Sequence, residues 1–415
     1  MARTLDVYLH RDLVGHLTQD SNGHITFKYV DAWAEHPASR ALSQSLPLRK
    51  GRFTQKECRG FFGGILPEQS QRELVARNLG ISARNDFAML EKIGGECAGA
   101  VTFMPAGQPL PDSTPRYRGL SDADLVSVLK TLPRRPLLAG EDDVRLSLAG
   151  AQDKIAVKVS GPQISIPLEN APSTHVLKPA SERFLGVPAN EVLCLRLASA
   201  VGIPAAAAEV RTIQGMDYAL IERYDRTSTQ TPEGLQYERL HQEDFCQALG
   251  IVSENKYQSE GGPSFKQCFD LLRAVSSAPV IDLQRMLDAA IFNYLIGNHD
   301  AHGKNFSLLY GPGQDNVRFA PLYDLVCTLY YPELSKNMAM KIGGEYLLDK
   351  VAPRNFEKLA EEAGLAKPLV KRRVPALAGK ILEALPTIVL GQAHTETVAA
   401  IIKQRCERTI SESST

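Results

Sequence analysis

Asn298-His299-Asp300-Ala301-His302-Gly303-Lys304-Asn305-Phe306 decides how this chain is read. It follows an apolar run with helical spacing, Leu283 to Ile296, and its core is His-Asp, four residues, then Asn. Transfer of a phosphoryl group to a hydroxyl needs a carboxylate that accepts the nucleophile's proton and an oxygen ligand on the metal that holds the triphosphate. A tight loop after a helix lets Asp300 face the first task and Asn305 the second. A second ligand follows in Phe319-Ala320-Pro321-Leu322-Tyr323-Asp324, where a short apolar strand is expected to end in Asp324. Mg²⁺ favours one or two such oxygen ligands beside phosphate oxygens. His-Asp and Asn also stabilise ordinary turns, and the segment alone leaves that reading open. Zinc hydrolysis by His299, Asp300 and His302 fits poorly, because helical zinc pairs carry an interposed Glu.

The preceding segment supplies what such a loop requires. Strands are expected at 145–149, 154–159, 163–167, 174–178, 207–212 and 218–222, interrupted by a helix at 190–201. Lys178 ends a β-rich run, the place from which an ammonium reaches α- and β-phosphates, and Glu191 in the next helix is its natural ion-pair partner. Ala149-Gly150-Ala151-Gln152-Asp153-Lys154 has the small residues of a phosphate-cradling turn, although one glycine is equally consistent with a hairpin. Glu222-Arg223-Tyr224 closes a strand just before the helical half, where backbone groups could meet adenine, or where a charged turn simply meets water.

From Gln242 onward the pattern is mainly helical, at 265–275, 283–296, 356–363, 369–385 and 395–408. Before it, 121–240 reads as a β-rich nucleotide-binding lobe, and 241–415 as a helical catalytic lobe. Residues 5–29 alternate as short antiparallel strands, and 67–93 switch to helices with Gly80 as a stop, so 1–105 forms a small α+β module. Pro105-Ala-Gly-Gln-Pro-Leu-Pro-Asp-Ser-Thr-Pro-Arg116 can hold neither helix nor central strand, which places a linker at 106–120. Lys plus Arg and Asp plus Glu each total 47, so no net field draws the chain to nucleic acid or a membrane. The seven cysteines never occur as Cys-x-x-Cys and read as buried small hydrophobes in a reducing compartment. No signal peptide or membrane span is evident, which leads us to expect a cytoplasmic protein.

Ser147-Leu-Ala-Gly-Ala-Gln-Asp-Lys154, Thr174-His-Val-Leu-Lys178, Ile221-Glu-Arg-Tyr-Asp-Arg226, Gln242-Glu-Asp-Phe-Cys-Gln247, Lys256-Tyr-Gln-Ser-Glu-Gly-Gly-Pro263, the 297–306 loop and Pro321-Leu-Tyr-Asp324 resemble the HipA kinase family in the expected order. Phe61-Phe-Gly-Gly-Ile-Leu-Pro67 and Ile93-Gly-Gly-Glu-Cys-Ala-Gly-Ala100 resemble that family's N-terminal domain. The resemblance implies an α+β, two-lobed protein-kinase-like fold with an added N-terminal module. It also implies a Mg²⁺/ATP-dependent serine/threonine kinase that is the toxin of a bacterial toxin–antitoxin pair. Asp300 is then the base, and Asn305 and Asp324 hold the metal. Lys178, residues 149–154, Glu222 to Tyr224, His302, Gly303, Lys304 and Tyr323 contact the nucleotide, and Ser147 is the autophosphorylation site that ejects its loop. Family toxins pair with a helix-turn-helix antitoxin of HipB type, reach operator DNA through it, and phosphorylate a cytosolic protein such as an aminoacyl-tRNA synthetase. A small-molecule kinase, or a kinase-like repressor partner, are the alternatives. The short link between Lys178 and Glu191 departs from the family and puts the substrate-facing loop in doubt. The basic cluster Lys371-Arg372-Arg373 reads as a solvated helix face.

Overall fold

The computed structural model describes residues 2–111, 114–232, 234–313, 316–388, 391 and 393–413. The chain forms two compact units. The first comprises Met1–Pro179, Thr212–Glu254 and Leu309–Asn316, the second Ala180–Arg211, Asn255–Leu308 and Val317–Thr415. Each unit draws on segments from both sides of the boundary expected at 240, and the first also spans the linker expected at 106–120. Asp112 and Ser113 of that linker lie outside the described residues.

In the first unit, β1 (Arg3–Leu9), β2 (Asp12–Gln19), β3 (Ile25–Tyr29) and β4 (Val101–Pro105) make an antiparallel sheet ordered β3-β2-β1-β4. Leu5, Val7 and Leu9 alternate into its buried face, the period-two pattern that marks a half-buried strand. Phe27, Tyr29, Phe53, Phe61, Phe62 and Phe103 fill the core beneath, with Phe27 and Phe62 ring centres 5.2 Å apart. Helices Gln69–Leu79 and Asp86–Ile93 lie where the spacing predicts them, and Gly80 stops the first with φ of 65°.

Downstream, β5 (Tyr117–Gly119), β6 (Ile155–Ser160), β7 (Gln163–Pro167) and β8 (His175–Pro179) precede β9 (Ala208–Ile213), which carries the chain back into the first unit, and β10 (Met216–Glu222). The first-unit order is β5-β7-β6-β8-β10. Leu177 of β8 sits between Ile155 and Leu220, which places Lys178 opposite Ala219.

Two expectations fail here. Residues 145–149 form no strand; only isolated parallel bridges, Glu96 with Leu146 and Pro67 with Gly150, fix them. Their backbone groups are taken by the N-terminal module, since Gly95 and Glu96 N–H both donate to Arg145 O and Ser147 N–H donates to Glu96 O. And β10 does not lead straight into helices. A hairpin of β11 (Arg226–Thr231) and β12 (Gly234–Arg239) intervenes, whose Arg-Thr-Ser-Thr-Gln-Thr strand carries no apolar period to reveal it.

The second unit is built on helices Val187–Ala200, Phe265–Val275, Pro279–Ile296, Pro353–Ala363, Lys367–Ile388 and Ala393–Ser413. Three begin earlier than the apolar periodicity alone suggests, with Pro188, Pro279 and Pro353 in their first turns, where a fixed φ and a missing N–H cause no loss. Arg373 forms a bidentate pair with Asp288, at 2.6 Å for each bond, so the basic cluster is partly neutralised within the unit. All seven cysteines are buried and unbridged. Among the described residues no helix is long and apolar enough to cross a membrane.

Within the first unit, buried Glu243 accepts hydrogen bonds from Ser43 Oγ, Tyr310 Oη and, at 2.9 Å, Gln44 N–H. Burial pushes its carboxyl up from 4.5 to about 7, against those donors. The folded state therefore holds the proton to higher pH than the unfolded chain. The stability from this site is fully present below about 4.5 and is lost as pH rises to about 7. Urea unfolding of Glu243→Gln across this window is expected to lack a fall on the order of 3 kcal/mol that the parent shows. Parallel pH profiles would refute the assignment.

Candidate functional site

Helix Pro279–Ile296 ends at Gly297, whose φ of 75° favours glycine and where a Cβ would also press on the Leu329 side chain. The chain then turns on its own amides. Asn298 Nδ2 donates to Asn293 Oδ1 at 2.8 Å, and Asn298 Oδ1 accepts from Asp300 N–H at 3.0 Å. His299 N–H donates to Thr328 Oγ1 at 2.7 Å, and Ala339 N–H donates to His299 O at 2.7 Å. Burial, then nearby Arg405, lowers the His299 pKa, so this ring is a neutral structural element.

Held on that frame, Asp300 has an exposed carboxylate whose Oδ1 accepts from Tyr257 Oη at 2.9 Å. Its carbonyl accepts from His302 N–H at 2.8 Å and from Asn305 Nδ2 at 2.9 Å. Because the Asn305 amide nitrogen is committed to the loop, its oxygen is the atom left to ligate a cation. Tyr323 Oη donates to Lys304 O at 2.7 Å and lies 2.6 Å from Ser307 Oγ, which ties the residue before Asp324 to the residue before Asn305. Leu322 is pinned by a bridge to Ala205, and Asp324 takes φ of 57°, a left-handed conformation that Asp tolerates better than most residues. Asp324 does not end a strand directly, since the strand stops at Phe319. That strand is anchored by buried Asp282, which accepts from Arg318 Nε and Phe319 N–H, each at 2.9 Å. Glu191 is buried within helix Val187–Ala200, beside Asn190, whose side chain bonds both Cys327 N–H and Cys327 O.

The first unit holds the remaining residues. Lys178 is buried on β8. In the 149–154 loop, Lys154 Nζ donates to Ala149 O at 2.8 Å, closing the turn over Gly150, whose φ is 109° and whose absent Cβ would fall 2.5 Å from that Nζ. Gln71 Nε2 donates to Asp153 Oδ1 at 2.8 Å, and burial raises the Asp153 pKa. Ser147 is fully buried, with its Oγ donating to Ile65 O at 3.0 Å. At the end of β10, Glu222 is exposed and Tyr224 Oη donates to Gln242 Oε1. Arg223 departs from the expectation. Its N–H donates to Thr174 O and its guanidinium enters a buried cluster with Glu96 and Asp225, so what it can offer a base is its carbonyl.

Sequence reasoning missed Tyr257, the donor to Asp300, although it lies in the quoted Lys256–Pro263 segment. It also assigned no role to Glu96, whose signal was a lone acid set between Gly-Gly and Cys in an apolar stretch.

A model of the HipA-like C-terminal domain matches residues 146–386, and one of the HipA N-terminal domain matches residues 5–104. The chain belongs to the HipA family. A provisionally named kinase of Sinorhizobium fredii, Y4mE, is 46% identical over 93% of this chain and 92% of its own length. The serine/threonine-protein kinase toxin HipA of Shewanella oneidensis is 28% identical over 93% and 89%. In the solved complex of Shewanella oneidensis HipA, HipB and operator DNA, one chain superimposes with a TM-score of 0.87 at 26% identity, covering 99% of this chain and 98% of that one. The α+β, protein-kinase-like fold of HipA proteins is thus the fold of this chain.

Asn298→Ala would take away the acceptor of the Asp300 N–H and the donor to Asn293 Oδ1, while Asn293 Nδ2 keeps its bond to Ala289 O. It is expected to lower the unfolding free energy by about 1–3 kcal/mol in urea titration. An unchanged midpoint would show that these bonds hold nothing.

Proposed function

We propose that this HipA-family chain is a Mg²⁺/ATP-dependent protein kinase that phosphorylates serine or threonine, the toxin of a pair whose antitoxin is of HipB type. The observation that carries the reading is the Asn305 amide. With its nitrogen given to Asp300 O, one short loop offers a carboxylate and an amide oxygen together, and Tyr323 ties the Asp324 segment to the same loop. An amide oxygen and a carboxylate are hard donors that suit Mg²⁺.

Asn305 and Asp324 would hold the metal, and bound Mg²⁺-ATP would supply the phosphoryl group with its charge screened. Asp300, oriented by Tyr257, takes the proton of the acceptor hydroxyl. Lys178 and the 149–154 loop would hold phosphate oxygens. Backbone groups of Glu222, Arg223 and Tyr224 would meet the base, with His302, Gly303, Lys304 and Tyr323 lining the nucleotide. Ser147 would be the site of self-modification. Its burial means that its hydroxyl must leave Ile65 O before it can accept phosphate, and the modified loop could not return to the same bed. The balanced charge and the Arg373–Asp288 pair favour contact with operator DNA through an antitoxin rather than directly. A cytosolic protein, such as an aminoacyl-tRNA synthetase, is the proposed acceptor.

Incubation with labelled ATP and Mg²⁺, followed by mass spectrometry, tests the reading. Label on protein, Ser147 included, is expected; label confined to small acceptors would replace it with a small-molecule kinase. Asp300→Asn is expected to lose transfer by at least about 100-fold while nucleotide affinity changes little. Full activity in that variant would exclude Asp300 as the base. Ser147→Ala is expected to keep transfer but to lose self-inactivation on exposure to ATP, and continued self-inactivation would remove that role.

A further inference from the structure

Ile93-Gly94-Gly95-Glu96-Cys97-Ala98-Gly99-Ala100 has no part in the phosphoryl chemistry, yet it touches both nucleotide-facing segments of the first unit. The Glu96 carboxylate is fully buried. Its Oε1 accepts from Ser173 N–H at 3.0 Å, Ser173 Oγ at 2.7 Å, Arg223 Nη1 at 3.0 Å and Arg226 Nη2 at 2.6 Å, and its Oε2 pairs with Arg239. Cys97 O accepts from Arg223 Nη2 at 2.9 Å, and Gly99 N–H donates to Asp225 Oδ2 at 2.7 Å. Gln242 Nε2 donates to that same Asp225 oxygen at 3.1 Å while its Oε1 accepts from Tyr224 Oη, so residues 223–226 hang on the motif.

The backbone of the same residue faces the other way. Glu96 N–H donates to Arg145 O at 2.8 Å, and Glu96 O accepts from Ser147 N–H at 2.9 Å. The approach is too close for a side chain, since a Cβ on Gly95 would stand 2.2 Å from Glu169 O and 2.9 Å from Arg145 O. Displacing this peptide therefore displaces the Arg145–Ser147 segment that leads into the 149–154 loop.

We propose that Glu96 is a positioning residue that couples the two halves of the nucleotide site: its carboxylate holds the 223–226 segment, its peptide holds the Ser147 segment, and order in one is transmitted to the other. The inference rests on the nucleotide reading given above. Its physical basis is charge balance. Two buried carboxylates, Glu96 and Asp225, face three buried guanidiniums, those of Arg223, Arg226 and Arg239. Burial opposes ionisation of Glu96, but Arg226, Arg239 and Arg223 hold its pKa below the ordinary value, so it stays anionic. Without that charge the guanidiniums repel, and the first groups to move are Arg223 and Arg226 at the end of β10.

The test uses the full-length protein with Mg²⁺ and a non-hydrolysable ATP analogue, measuring nucleotide affinity by calorimetry and amide exchange of the peptide containing Ser147. In the parent protein, nucleotide is expected to slow exchange at Ser147. Glu96→Gln is expected to weaken nucleotide binding about tenfold and to abolish that protection, while exchange in β1 to β3 is unchanged. A folded Glu96→Gln protein with parental affinity and parental protection would overturn the proposal. Where the single variant does not fold, Glu96→Gln combined with Arg239→Gln leaves Asp225 facing two guanidiniums, preserving the net charge of the cluster. It is expected to fold and still to lack the coupling. Restored coupling, or failure of both variants to fold, would reduce Glu96 to a stability residue. A parent protein that binds no adenine nucleotide would instead defeat the nucleotide reading itself.

Discussion

A carboxylate taken wholly out of water must be met by opposite charge and by hydrogen-bond donors, or it destabilises the fold by several kcal/mol. The first unit is organised around one such group. Glu96 draws three arginines and a serine from distant parts of the chain onto a single point, with Arg223 at the end of β10 among them, while its own peptide groups hold Arg145 and Ser147 ahead of the 149–154 loop. Asp282 plays the same part in the second unit, where its carboxylate fixes the strand that precedes Asp324. Both acids sit a few residues or one strand away from the groups proposed to do chemistry, and neither is exposed to it.

The Asp300 loop illustrates a different economy. Here amides hold the Asp300 backbone. Asn293, Asn298 and Asn305 relay hydrogen bonds from the last turn of the helix to the carbonyl and N–H of Asp300, so the carboxylate emerges from a backbone that is fixed on every side. An amide side chain suits this work because it carries donor and acceptor together and stays neutral when buried. The same bond that steadies Asp300 decides which end of Asn305 can serve a cation.

Much of this was legible beforehand. Helix 86–93 follows from its local pattern, Gly80 and Gly297 stop their helices because each takes a positive φ, and Asp300, Asn305 and Asp324 announce themselves by residue type and spacing. The hairpin 226–239 stayed hidden because its first strand is polar and exposed, and a strand that buries nothing writes no alternation. The false strand at 145–149 arose from the opposite cause. Leu146 and Leu148 alternate around Ser147 and are buried, yet their segment binds the N-terminal module through isolated bridges rather than a ladder.

The sequence by itself determined where most helices lie, where they stop, and which residue types could perform phosphoryl transfer, because periodicity, capping and spacing are recorded within a few neighbouring positions. Only the tertiary structure decided that Ser147 is buried, that Arg223 turns inward to Glu96 rather than outward, that Tyr257 addresses Asp300, and which atom Asn305 leaves uncommitted. Most of those facts depend on a hydrogen-bond partner tens of residues or more away. A buried polar group accepts whichever partner the packed chain delivers, and no local pattern specifies that partner.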